Sequence, residues 1–477
     1  MLDEPKGFFL AGSREQSDNI ATVKSPWDGA LAGKICLASP HHLELATVAA
    51  VKAVTDFRYT PRHVRSQWCA AIADGLRNRS SEFARLITAE SAKPIQYSRG
   101  EVARAITTFT QASHEALRFA GEVLPLDIAP ASESLTGHTR REPAGIVAAI
   151  TPFNFPLNLV VHKVAPALAV GCPIILKPAV QTPLTALLLA EVIEQASVPS
   201  GMISVLPMEN ETAEIMVRDD RIAVLSFTGS DTVGWHLKAI SGRKRALLEL
   251  GGNAPAIVHN DADLRHAVSR LITGSFASSG QVCIKSQRLL VHESLYDAFN
   301  EKFVSAARQV ETGDPWNPDT IVSALIDTKA ADRVEKWIRD AAAGGARILC
   351  GGTRDQNVIA PTVLENVPAD SPCLRREIFA PVVTLQRYRN LNEAIALAND
   401  SEFGLQAALF TYDTRVIEQA TRELQFGGII INDSPSVRVD NYPYGGIKAS
   451  GLGREGVRYT MEELSEIKVI VTRQTGD

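Results

Sequence analysis

Apolar positions along the chain change rhythm several times. From residue 41 to about 121 they recur at three- and four-residue spacing: Leu43, Ala46, Val48 and Val51, then Trp68, Ile72 and Leu76, then Phe83, Leu86 and Ile87. That is the stripe of amphipathic helices. Ser80 and Ser81 ahead of Glu82 read as a helix cap, and 99–119 reads as a further helix carrying Arg104. Residues 1–40 hold only short apolar pieces broken by Gly and Pro, expected as peripheral strands and turns. Between 123 and 143 the helical rhythm stops. Pro125, Pro130 and Pro143 exclude a central strand there. An extended arm of the kind that makes subunit contacts is expected instead.

From 145 onward, buried runs alternate with helical ones. Strands are expected at 145–150, 173–177, 203–206, 222–227 and 245–250, with a helix at 156–170 stopped by Gly171. Thr182-Pro183 reads as an N-cap followed by Pro at the first helical position, opening a helix to about Ser197. A second series follows, with strands at 288–291, 346–350, 382–386 and 428–432 and helices at 294–308, 328–343, 391–399 and 414–424. Such alternation predicts an α/β fold of parallel sheets with right-handed crossovers. Ligands of such sheets lie at the carboxyl ends of the strands. The closing run 467–472 is a strand suited to pairing with another subunit.

Composition narrows the function more than the fold. The 477 residues, 45% hydrophobic and 22% charged, suit a globular chain of two or three domains. A net charge of −5 without any long basic run gives no reason to expect nucleic acid or an anionic membrane as partner. Six scattered cysteines (Cys36, Cys69, Cys172, Cys283, Cys350, Cys373) form no CxxC pair, so neither a metal site nor a disulfide framework is expected. No apolar run is long enough to span a bilayer, and the first 13 residues lack a secretory core. A cytoplasmic protein is expected.

One stretch draws the chemistry together. GSFASSGQVCIKSQR, from Gly274 to Arg288, places Cys283 beyond a glycine turn between Val282 and Ile284. Such a thiol is either a reachable nucleophile or a small buried hydrophobe. What other segments bring to it decides. Ile150-Thr-Pro-Phe-Asn154 leaves a strand with a side-chain amide, and Lys177 puts a cation at the next strand's end. Phe227-Thr-Gly-Ser-Asp-Thr-Val-Gly234 runs from strand through Gly229 and Ser230 into a helix, where N–H groups can face a phosphate. Glu249 ends the last strand of the first series with a carboxylate. Singly, these are a capping Asn, a solvated Lys, a turn Gly and a surface Glu. Jointly, they mark one ligand edge. The literal GLGREG at 451–456 follows no buried strand and is not a dinucleotide fingerprint.

Together FNFPLN, ILKPA, FTGS, LELGGN, SSGQVC, EIFAPV and YGGIKASGLGREG, in that order, resemble the aldehyde dehydrogenase superfamily across essentially the whole chain. The resemblance implies a Rossmann-type cofactor domain (1–122 and 144–250), an α/β catalytic domain (251–456) and an oligomerisation arm (123–143 and 457–477). It implies that Cys283 attacks an aldehyde while the Asn154 amide and the Cys283 N–H hold the oxyanion, roughly 3–4 kcal/mol per donor. Glu249 would then activate water to release the acid. NAD or NADP would lie along Ile150, Thr151, Pro152, Phe153, Lys177, Val180, Gly229, Ser230, Gly234, Leu250 and Gly251. Glu377 would hold the nicotinamide ribose with Phe379 beside it. A homodimer or homotetramer is implied.

Two departures from the pattern refine this. Val180 stands where NAD-preferring relatives carry a glutamate for the adenosine ribose, so NADP is expected to be accepted, even preferred. Arg104 and Arg438 match two anion anchors of relatives that act on phosphorylated aldehydes, but Phe155 and Val282 replace polar groups of that set. A small anionic or hydroxylated aldehyde is expected, with His162 and Lys285 also near the mouth. The competing readings are a CoA-acylating semialdehyde dehydrogenase, against which Glu249 argues, and a catalytically silent structural relative.

Overall fold

The computed structural model describes residues 4–474. Five parallel strands form the heart of the first sheet. Ile203–Val205, Ile174–Lys177, Ile146–Ile150, Ile222–Thr228 and Arg245–Glu249 lie side by side in that order. The order reverses between Ile146–Ile150 and Ile222–Thr228, which opens a crevice beyond their carboxyl ends. Phe8–Leu10 adds an antiparallel strand on one side, and its Phe8 is fully buried. Between the strands run helices Asn158–Val170, Leu184–Gln195, Asn210–Arg218 and Asp231–Ile240. All thirteen residues of Asn158–Val170 are buried, and Gly171 ends that helix at φ +96. Helices Arg62–Asn78 and Ile95–Arg118 pack over it.

The second sheet holds six parallel strands in the order Thr362–Glu365, Val382–Tyr388, Ser286–His292, Ala254–Val258, Gln406–Phe410 and Gly428–Ile431. Three of these, Ala254–Val258, Thr362–Glu365 and Gln406–Phe410, were not evident from the sequence. They are short and flanked or interrupted by Pro255, Pro361 or alanines, so they carry little strand signal. The strand expected at 346–350 is present as Arg347–Cys350, but it runs antiparallel at the sheet's edge.

The run ending in 467–472 is strand Ser465–Arg473; it pairs in register with Leu135–Pro143 of the same chain on one side and forms the sheet's edge on the other. The hairpin partner Val123–Leu124 completes this three-stranded arm. Several expectations are corrected. Helix Val457–Glu463 belongs to the first core through Val457 and Met461, not to the arm. Gly451–Leu452, assigned to the catalytic domain, hydrogen-bonds to Arg245–Glu249 and so extends the first sheet. Ser80 and Ser81 cap nothing: Ser80–Ser91 begins without a side-chain cap, and Arg79 bridges Glu82 and Glu191 instead. Nor does Thr182 cap its helix. The buried Glu90 carboxyl, which burial pushes up to about 8, accepts from Leu184 N at 2.8 Å and Thr185 N at 3.1 Å and so takes the helix-start N–H groups that a Thr182 cap would have served. Gly274 and Ser275, at the head of the cysteine stretch, form the buried last turn of helix Leu264–Phe276, where the missing Cβ of Gly274 lets the helix approach Ser434 and Ser286.

Candidate active site

Both sheets open onto one cavity of about 630 Å³. The first contributes carboxyl ends of its strands, and the second the turn before Ser286–His292. That turn is strained. Ser278 and Ser279 sit at φ +53 and +59, followed by Gly280 at +67. L-residues pay for this region, of order 1–3 kcal/mol each, and Ser279 Oγ secures it by accepting from Ser323 N at 2.8 Å and donating to Ser323 O at 3.1 Å. A Cβ on Gly280 would strike the Ala380 carbonyl, so only glycine lets the chain turn here. The result presents Cys283, the one cysteine of six that is not fully buried.

Asn154, Glu249 and Cys283 all line the cavity. Asn154 Nδ2 donates to Gln281 O at 2.9 Å, two residues before the thiol, and its Oδ1 is buried without a partner. Glu249 is buried with Oε2 unpaired. Burial first, and the neighbouring Glu455 second, hold its carboxyl well above the usual range. Glu455 itself accepts from Lys163 Nζ at 3.1 Å and Arg438 Nη2 at 3.0 Å. Burial would raise it, but Lys163 and Arg438 outweigh that and bring it down to about 2. Two buried carboxylates of unlike character thus stand side by side: one charged and paired, one inclined to hold a proton. Burial, with Glu377 and Glu249, pushes the Cys283 thiol up to about 11, opposed by Tyr444 and Arg438.

The other face of the cavity offers main-chain N–H groups and hydroxyls, the donor set that can hold a ligand with phosphates. Gly229, Ser230, Asp231 and Thr232 line it at the start of helix Asp231–Ile240, whose N-cap is Ser230. The buried hydroxyl of Thr228 lines it as well and has no hydrogen-bond partner among the described residues; Thr151, at the strand end across the reversal, is likewise unpartnered but does not line the cavity. Leu250 and Gly251 line the cavity with Pro152 and Phe153. Phe379, at φ +54, sets its ring edge-on to Phe153 at 5.9 Å. Glu377 Oε1 accepts from Gly252 N at 3.0 Å, and burial raises its carboxyl to about 7.

Some expected cofactor residues stand apart from the cavity wall. Ile150 is core, and Gly234 faces Leu250 so closely that a Cβ would clash, so it is a packing residue. Lys177 and Val180 lie beyond the wall. Burial lowers the Lys177 ammonium pKa, with Glu209 and Glu211 opposing. Val180 instead lines a separate recess with Gln181 and Glu209.

At the mouth, Arg104, Phe155, Val282 and Arg438 line the cavity as expected. The arginines are already engaged. Arg104 grips Asp440 with two bonds of 3.1 and 2.6 Å, and His162 Nε2 shares the same carboxylate at 2.9 Å. Arg438 lies 3.8 Å over the Tyr444 ring while bound to Glu455. Lys93 stacks on Phe155 at 3.7 Å. His162 and Lys285 are buried and lie behind the wall, Lys285 tied to the Val382 carbonyl with burial bringing its pKa down to about 7. Lys163, Asp440, Tyr444 and Glu455 escaped sequence reasoning. The one available signal was His162-Lys163 inside an otherwise apolar helix, where ionisable groups need partners.

The aldehyde dehydrogenase family model matches residues 13–470. A 3-sulfolactaldehyde dehydrogenase of Priestia megaterium is 40% identical over 98% of this chain and 97% of that protein. The crystal structure of aldehyde dehydrogenase 21 from Physcomitrella patens, in complex with the reaction product succinate, is 42% identical over 99% of each chain with a TM-score of 0.97. That of glyceraldehyde-3-phosphate dehydrogenase GapN from Methanocaldococcus jannaschii, complexed with NADP, is 40% identical over 96% of this chain and 100% of that one, with a TM-score of 0.92. A match this long, on a fold and cavity of this form, means that the chain belongs to the aldehyde dehydrogenase family.

Proposed function

We propose that this NAD(P)-dependent aldehyde dehydrogenase oxidises a small aldehyde bearing an anionic or hydroxyl group to its carboxylic acid, through a covalent adduct on Cys283. The observation that carries the reading is the meeting of Cys283, Asn154 and the buried Glu249, its Oε2 unpartnered, on one cavity wall. The Cys283 sulfur attacks the carbonyl carbon, and the Asn154 amide turns from Gln281 O to the developing oxyanion. Glu249, once deprotonated, takes a proton from the water that releases the acid. The bound nicotinamide supplies the hydride acceptor. Ser230, the helix start behind it, and the unpaired Thr228 hydroxyl suit the dinucleotide phosphates and riboses. Glu377 would leave Gly252 N to reach a ribose.

Arg104 is the better substrate anchor of the two arginines. Asp440 fixes its plane and leaves Nη1 uncommitted, whereas Arg438 is almost wholly buried against Glu455 and Tyr444. Relatives named for 3-sulfolactaldehyde and for succinate as product support an acidic substrate. NADP acceptance rests on Val180, which presents no carboxylate, and on Lys177; a relative solved with NADP supports it. Subunit association through the arm is supported by the outward Ile467, Val469 and Val471 of its outer strand. The buried free cysteines suit a reducing cytoplasm.

Acidic and neutral short aldehydes assayed with each cofactor test the reading. Arg104→Ala should raise KM for acidic aldehydes at least tenfold. Unchanged KM for every acidic aldehyde in both Arg104→Ala and Arg438→Ala would refute the anchors, and a hundredfold preference for NAD would refute the NADP assignment.

A further inference from the structure

The Tyr444 hydroxyl lies 3.1 Å from Cys283 Sγ, and this is the side-chain hydrogen bond of each group. Among the described residues no other side chain bonds to that sulfur, and Asn154 is turned to Gln281 O. Tyr444 is held from three directions. Its backbone N–H donates to Glu455 O at 2.9 Å, its carbonyl accepts from Glu455 N at 2.6 Å, and Arg438 covers its ring at 3.8 Å. The whole side chain is buried. A tyrosine packed for bulk alone would not need its oxygen aimed at the nucleophile.

We propose that Tyr444 is the positioning residue of the nucleophile: its hydroxyl donates to Cys283 Sγ as the proton leaves, orienting the sulfur and stabilising the thiolate. This rests on the reading of Cys283 as the attacking group. A neutral thiol can donate to Tyr444 or accept from it, but a thiolate can only accept, so ionisation commits the hydroxyl as donor. Four titratable groups face the sulfur. Glu249 and Glu377 disfavour its ionisation, while Tyr444 and Arg438 favour it. Burial, reinforced by Cys283 and Glu249, keeps the phenol itself protonated far above its ordinary range, so it stays a donor wherever the enzyme works. Arg438 then acts twice, as a charge near the sulfur and as the plate that fixes the Tyr444 ring.

The test is alkylation of Cys283 by iodoacetamide in the full-length enzyme across pH, followed by peptide mass spectrometry. The thiolate displaces iodide, so the rate reports the ionised fraction. The other five cysteines are buried. Tyr444→Phe removes one oxygen. Its reactivity midpoint should rise by at least about one pH unit, making alkylation about tenfold slower at a given pH below both midpoints. KM for aldehyde and Kd for NADP should change little while kcat falls. Should Tyr444→Phe not fold, 3-fluorotyrosine at 444 keeps the shape and makes the phenol more acidic, and the midpoint should then move down. Superimposable profiles for wild type and Tyr444→Phe, or no shift with the fluorinated side chain, would overturn the role of Tyr444. A wild-type enzyme that oxidises no aldehyde would instead overturn the functional reading itself.

Discussion

The two walls of the cavity are built on opposite principles. The wall proposed for the cofactor is made of main chain and small hydroxyls: Gly229, a Ser230-capped helix start, and the unpaired Thr228. Its binding capacity is left open. On the reactive wall nearly every charge is already spoken for: Arg104 by Asp440, Arg438 and Lys163 by Glu455. Among the described residues of this wall, Glu249 lacks a partner of opposite charge in direct contact. A ligand present in every turnover, bound by N–H groups and hydroxyls, can be held without charged side chains. A site that must bury ionisable groups has to neutralise each one, or burial would shift its pKa out of use.

Breaking the reactive wall should therefore cost most. Cys283→Ala should lower kcat by at least roughly 10³-fold while leaving NADP affinity within twofold. A parallel loss of cofactor binding would mean the walls are not independent. Glu455→Gln leaves Lys163 and Arg438 without their shared anion, and should cost about 3–5 kcal/mol of stability in denaturant titration. The same change removes a negative neighbour that raises Glu249, so the acid limb of the kcat profile should move to lower pH. On the other wall effects should be smaller. Val180→Glu should shift the NAD-to-NADP ratio of kcat/KM toward NAD about tenfold, with aldehyde KM unchanged.

The same contrast governs what could be read in advance. The cofactor wall was legible because its parts are contiguous: a strand, Gly229-Ser230 and a helix lie within a dozen residues. The convergence of Cys283, Asn154 and Glu249 on one cavity was legible through their motifs, and the resemblance supplied the roles proposed for them. The charge pairs were not. Arg104 and Asp440 are separated by 336 residues, and Lys163 and Glu455 by 292, so nothing local couples them. Arg104 and Arg438 were taken as open anchors for that reason. Gly234 misled differently: its glycine suits a phosphate turn in sequence, but its lack of a Cβ serves the contact with Leu250.

In the proposed reaction an acyl group is carried by Cys283 and released by Glu249, and Glu249→Gln exposes that step directly. The enzyme is mixed with aldehyde and NADP, quenched in acid within seconds and weighed intact, then mapped by peptide. Because burial raises the Glu249 carboxyl in the folded enzyme, its base form is lost as pH falls. Wild type should therefore accumulate the same adduct at the acid end of its profile but not at the alkaline end. The account predicts one acyl mass per subunit on the Cys283 peptide of Glu249→Gln, with one equivalent of reduced cofactor formed in a burst. Multiple turnovers at the wild-type rate, or a burst with Cys283 unmodified, would contradict it.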